Sequence, residues 1–201
     1  MKKILPAFSY IFHPLFIPGM ATFLYFFFHI SDFKIQEISF VFLQIIILTI
    51  LIPIALFFLL RTSGFVDSLM LANVDQRKIP LVLQCFLIIL IVRKSITINN
   101  YTELHFFFLG ALFSTLIALI LVFANIKASL HMLGISALTV FVFALNIHLQ
   151  ANSIYLIPFL ILMNGFVASS RLVMNAHSPK ELIIGLLIGS IPQLLFLKLW
   201  L

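Results

Sequence analysis

The chain alternates long apolar runs with short polar breaks. Crossing a hydrocarbon core takes about 20 mostly apolar residues in one helix, and seven runs are candidates: Ala7–Ile30, Ile38–Leu60, Ile79–Thr97, Leu104–Ile126, Leu130–Leu149, Ser153–Ser169 and Leu182–Trp200. The connections are Ser31–Glu37, Arg61–Lys78, Ser95–Glu103, Lys127–Ser129, Gln150–Asn152 and Ser170–Glu181. None is long enough for a second domain, and no internal repeat interrupts the pattern. The expectation is a single all-α domain over residues 1–201, a polytopic transmembrane bundle of six or seven spans.

Two runs carry local signals against a simple crossing. The first holds His13, Pro14 and Pro18-Gly19, which should kink it or make it dip into the membrane and return. Its Met-Lys-Lys start mimics a secretory signal, but no A-x-A-like cleavage site follows, so it reads as a retained segment. In the third run only Ile79–Val92 is free of charge; Arg93 and Lys94 must snorkel to a headgroup layer, and a stretch that short is compatible with a re-entrant path.

Composition sharpens the class. The 201 residues are 63% hydrophobic and 9% charged, with a mean hydropathy of +1.24, whereas soluble domains carry about 25% charged residues. Soluble enzymes, disordered tails and nucleic-acid readers are excluded; the expected surroundings are a lipid bilayer, specifically a bacterial inner membrane. Twelve Lys and Arg against six Asp and Glu suit membrane flanks or an anion site. Cys85 stands alone, so neither an internal disulfide nor a cysteine metal cage can form. Eight basic residues fall on the N-terminal side and four on the other, but setting aside Arg77, Lys78, Lys127 and Arg171 as site candidates leaves four on each. Orientation does not follow from the positive-inside rule.

Span parity gathers the polar residues. The loops holding Arg77, Lys78 and Pro80, then Lys127, Ser129 and His131, then Arg171, His177 and Glu181 are the second, fourth and sixth, and so share one membrane face. Such a set has the parts for handling a phosphate. Arg offers a planar, permanently charged fork for oxygen pairs. An imidazole whose other nitrogen is held by a carboxylate can attack phosphorus, and a second can protonate the leaving oxygen.

The stretch Ser170-Arg171-Leu-Val-Met-Asn-Ala-His177-Ser-Pro-Lys-Glu181-Leu-Ile-Ile-Gly185 resembles the third signature, S-R-x5-H-x3-D, of the type-2 phosphatidic acid phosphatase and haloperoxidase superfamily. Ala128-Ser129-Leu130-His131 resembles its second, P-S-G-H, and Arg77-Lys78-Ile79-Pro80 is similar to the end of its first, K-x6-R-P. The order agrees, over about residues 75–185. Glu181 stands where the signature has Asp, Ala128 where it has Pro, Leu130 where it has Gly, and Met70 lies seven before Arg77 where it has Lys. The resemblance implies a metal-independent lipid phosphatase acting on a phospholipid or polyprenyl phosphate. In it His177 is the nucleophile, Glu181 orients it, His131 is the leaving-group acid, and Arg171, Arg77 or Lys78, and Ser129 hold the phosphate. Lys127 is a candidate for the missing charge of the first signature.

Each residue also has a plainer reading. Ser178-Pro179-Lys180-Glu181 is a good helix start with a capping box, and Lys127, Arg77 and Lys78 suit headgroup anchors. His13, His29, His105 and His148 read as interfacial or inter-helix hydrogen-bonders, and Gly185-x-x-x-Gly189 as a close helix contact. The rival functions are an anion or lipid transporter and a catalytically inactive relative of the phosphatases.

Overall fold

A computed structural model of the protein describes residues 4–65, 74–151 and 155–201. Lys2, Lys3, Met70 and Ser153, which entered the reading above, lie outside these. Among the described residues the fold is helical throughout, with no strand. The helices are α1 (Leu5–Ile11), α2 (Ile17–Phe28), α3 (Ile35–Ile46), α4 (Ile52–Thr62), α5 (Lys78–Leu90), α6 (Thr102–Phe123), α7 (Leu130–His148), α8 (Leu156–Val173) and α9 (Pro179–Leu197). Five helical segments are long and apolar enough to cross a membrane: Ile35–Thr62, α6, α7, α8 and α9. This is a helical membrane bundle.

Local chemistry sets the boundaries. The first apolar run is broken: α1 stops at Ile11 and α2 begins at Ile17, because the residue before Pro14 is pushed out of the helical region and proline cannot donate. A π-helical turn, Ile47–Leu51, joins α3 and α4 into one rod just before Pro53, which offers no N–H to the turn preceding it. A second π-helical turn, Ile91–Ser95, prolongs α5. Asn125 and Asn175 adopt positive φ, 58° and 49°, and close α6 and α8 with Schellman turns. In these, Ile126 N–H donates to the Leu121 carbonyl and Ala176 N–H to that of Arg171. Helix α8 therefore carries Arg171 in its last turn, where the spacing suggested a loop.

The core lies around α7, the most buried of the long helices, with Phe107, Phe108, Ile135, Leu138 and Phe141 almost wholly enclosed. The exposed apolar side chains include Phe27, Phe58, Phe86 and Phe113, as expected where lipid replaces water. Helices α7 and α9 meet at Gly185 and Gly189. A Cβ on Gly185 would strike the Ser129 carbonyl oxygen, and one on Gly189 the Leu133 carbonyl oxygen and Ser136 Oγ. Only glycine permits this approach.

The bundle has two polar ends. At one, Glu103 opens α6 between His148 Nε2 (3.4 Å) and His29 Nε2 (4.0 Å), and Tyr101 donates to Glu37 at 2.7 Å. His29 and His105 each bond a backbone carbonyl, of Tyr25 and Ile96, and His148 lies beside Glu103. At the other end Arg77 donates to the Ala128 carbonyl at 3.0 Å, and Ser129 N–H to the Glu181 carbonyl at 3.1 Å. Segment Lys78–Ser95 connects the two. It starts beside Arg77 and finishes next to Ile96, whose carbonyl meets His105 Nδ1 at 2.6 Å. A course from one polar end to the other is what a crossing requires. We expect cysteines placed at Gln76 and Ile126, in a Cys85→Ala background, to react with an impermeant maleimide from the same side of sealed vesicles. One placed at Asn99 should react from the opposite side. Labelling of 76 and 99 from one side would contradict this path.

Candidate functional site

The chain turns that end α6 and α8 deliver Lys127 and His177 to the same end of the bundle. Helix α9 then begins with the anticipated capping box: Ser178 Oγ accepts from Glu181 N–H, and Glu181 Oε2 accepts from Ser178 N–H, both at 3.4 Å. The same carboxylate oxygen accepts from His177 Nδ1 at 2.7 Å. Capping and site roles therefore coexist in Glu181: the cap fixes the carboxylate, and the carboxylate fixes the ring. With Nδ1 donating, the His177 lone pair resides on Nε2. Burial pulls the His177 pKa down to about 4; the Glu181 bond opposes this, while Arg171, Arg77 and Lys127 reinforce it. At neutral pH the ring is uncharged.

Three cations surround this pair. Arg77 is 4% exposed and Arg171 3%. Lys127 Nζ donates to the Ala176 carbonyl at 2.9 Å and lies 3.9 Å from Glu181 Oε2, so it stands beside the His177–Glu181 pair. Among the described residues Arg171 is poorly provided for: Nη1 has only the Met174 sulfur at 3.9 Å, and Nε is buried with no hydrogen-bond partner. Leaving a buried guanidinium without an acceptor costs on the order of several kcal/mol. An anion resting there would remove that cost.

Arg77, His131, Arg171 and His177 line one cavity of about 240 Å³. Below them its walls turn apolar, with Phe57 and Leu60 from α4, Leu87 and Ile88 from α5, and Phe107 from α6. His131 stands at the start of α7, where its Nε2 donates to the Ser9 carbonyl at 3.1 Å, one of the acceptors that the last turn of α1 leaves without a helical partner. Helix α1 is fastened to α8 by a 2.6 Å bond between the Ser9 and Ser170 hydroxyls and by Phe8 stacked on Phe166 at 4.6 Å.

Two expected phosphate ligands are placed elsewhere. Ser129 is fully enclosed as the N-cap of α7, its Oγ accepting from Met132 N–H at 3.4 Å. Lys78 pairs with Asp75 at 2.7 Å and sits over the Phe123 ring; it does not line the cavity. Conversely, His13, expected as an interfacial residue or an inter-helix hydrogen-bonder, lines the cavity with its ring 5.1 Å from that of His131. The available signal was a histidine followed by proline inside an apolar run, marking both a break and a polar group at depth. No group of three or more His, Cys, Asp or Glu able to hold a metal ion occurs among the described residues.

Comparison with known proteins finds no matching family model, no similar curated protein and no similar solved structure.

The orphaned guanidinium generates a prediction with opposite signs in two measurements. Arg171→Met should raise the thermal midpoint of the detergent-purified protein in phosphate-free buffer, because it removes an uncompensated buried charge. It should also abolish the midpoint increase that inorganic phosphate gives the native protein. A lower midpoint for the variant without phosphate would show that Arg171 is instead a structural member.

Proposed function

We propose that the protein is an integral-membrane phosphatase that cleaves the phosphate from a lipid phosphomonoester or pyrophosphate through a phosphohistidine on His177. The observation that carries this reading is the His177–Glu181 pair beside two buried arginines, in a cavity whose deeper walls are apolar. The resemblance in residues 75–185 points the same way. In this reading the bundle makes six or seven crossings in a bacterial inner membrane, and the substrate arrives from the plane of that membrane. Its hydrocarbon chain would occupy the apolar part of the cavity. Phosphatidate, phosphatidylglycerophosphate, a polyprenyl (pyro)phosphate and a lipid A phosphate all have the required parts.

The chemistry follows from the tautomers. Arg77, Arg171 and Lys127 would draw the phosphate in and hold its oxygens, stabilising charge where it builds up. The Nε2 lone pair of His177 attacks phosphorus, and the bond from phosphorus to the lipid oxygen breaks as the N–P bond forms. The imidazolium this produces keeps its Nδ1 proton, stabilised by Glu181. His131 takes up on Nδ1 the proton that the lipid phosphate carries as its monoanion and passes it to the departing lipid oxygen, its Nε2–H remaining on the Ser9 carbonyl. Neutral His131 then takes a proton from water as that water attacks the phosphohistidine and the N–P bond breaks, and it hands the proton to the departing inorganic phosphate, which restores both rings.

Phosphate release from phospholipid and polyprenyl phosphates by detergent-purified protein tests this reading. It should persist in EDTA and fall by at least about 10³-fold in His177→Ala. Release equal to that of the native protein in His177→Ala would sink it. Absence of release from every substrate would favour the inactive relative, and phosphate flux in liposomes tolerating His177→Ala the transporter.

The acid limb of the pH profile has a fixed sign. Because His177 titrates near 4 and attacks when neutral, its protonation should reduce kcat/KM only towards pH 4. Glu181→Gln removes the group that raises this pKa. The limb should therefore move to lower pH, while kcat falls by about 10²- to 10⁴-fold. A limb moving to higher pH in that variant would contradict the assigned pairing.

A further inference from the structure

We propose that His13, carried in the break between α1 and α2, is a neutral hydrogen-bond donor to the bound oxyanion, so that the N-terminal segment supplies part of the binding site. The inference rests on the reading of the cavity as a phosphate site. It adds a residue that neither the spacing of the signatures nor the span parity had placed there.

Three imidazoles line the cavity, and each is held by a different fixed partner. His177 gives its Nδ1 proton to Glu181, and His131 gives its Nε2 proton to the Ser9 carbonyl. His13 is held in the opposite sense: its Nδ1 accepts the Leu15 backbone N–H at 3.3 Å. An Nδ1 that accepts must be unprotonated, so the neutral ring carries its proton on Nε2. Among the described residues no protein acceptor meets that Nε2–H. The first two rings thus keep one lone pair each for proton or phosphoryl transfer, whereas His13 keeps one N–H for hydrogen bonding.

The break makes this possible. A continuous helix through residue 13 would engage the Leu15 N–H with the carbonyl four residues earlier. Pro14 ends α1 before that register is reached, freeing the N–H to fix the ring. The break is also anchored on both sides: α1 is bonded to α8 through Ser9 and Ser170, and Ile17 packs against Gly134 of α7, where a Cβ would come within 2.9 Å of Ile17 Cγ1. His13 is consequently held beside His131 and is not on a loose terminus. A neutral donor is useful here, because Arg77, Arg171 and Lys127 already supply charge. A further cation would add repulsion to these three, whereas an N–H adds direction without charge.

The test uses the full-length protein in detergent and orthovanadate as the probe, with affinity read by calorimetry. His13→Gln places an amide N–H near the position of Nε2, whereas His13→Asn places one near Nδ1, and His13→Phe keeps ring volume without a donor. The expected result is orthovanadate affinity within threefold of the native protein for His13→Gln, and a loss of at least tenfold for His13→Asn and His13→Phe. If His13→Phe does not fold, the Gln and Asn pair decides alone. Unchanged affinity in His13→Asn or His13→Phe would overturn the assignment, as would a native protein that does not bind orthovanadate. Because vanadate binding needs no turnover, native protein that binds it in this pattern yet releases no phosphate supports the His13 assignment while ending the phosphatase reading.

Discussion

The contact between α7 and α9 is the constraint on which the site depends. The two helices approach until the Gly185 backbone lies against the Ser129 carbonyl, and the Ser129 N–H donates to the Glu181 carbonyl across the junction. A side chain at Gly185 or Gly189 would force the pair apart. That close seam carries the start of α7, with His131, to the start of α9, with Glu181 and the preceding His177. It also orients Ala128, whose carbonyl receives Arg77. Small residues thus do in this bundle what apolar attraction cannot do among lipid tails: they allow backbones to interlock.

Around that seam the protein accumulates positive charge where water is scarce. Arg77 and Arg171 are almost fully enclosed, and the Glu181 carboxylate is engaged with His177. Burying cations in this way is costly, and the Arg171 Nε has no partner to offset the cost. The opposite end of the bundle handles its polar groups differently. There Glu103 is flanked by two histidines and Glu37 is met by Tyr101, so acids are matched by donors. Among the described residues, acids and their donors meet at one end, while buried cations gather at the other.

The helical class, the approximate positions of the apolar segments and the convergence of Arg77, Lys127, His131, Arg171, His177 and Glu181 were legible in the sequence. Apolar length and spacing report membrane crossing directly, and parity then assigns each loop to a face. The capping box at Ser178 was legible too, since it is a local bond pattern over four residues. Lys78 and Ser129 were legible as near the site, but adjacency along a chain does not say which way a side chain turns. At the start of α5, consecutive residues point in different directions around the helix, so Arg77 enters the cavity while Lys78 faces Asp75 and Phe123. At Ser129 the unsatisfied N–H groups of α7 claimed the hydroxyl.

What the sequence determined by itself is a chain of apolar helices with one electropositive end, because hydropathy and parity act through local composition. What only the tertiary structure decided is which groups touch. The break at Pro14 was visible, but not that it would seat His13 beside His131, or that the last turn of α1 would present Ser9 to the same ring. Those contacts join residues more than a hundred positions apart. They depend on how α1 leans on α8 and α2 on α7, which is settled by packing shape and by the pairing of buried polar groups. No periodicity along the chain encodes them.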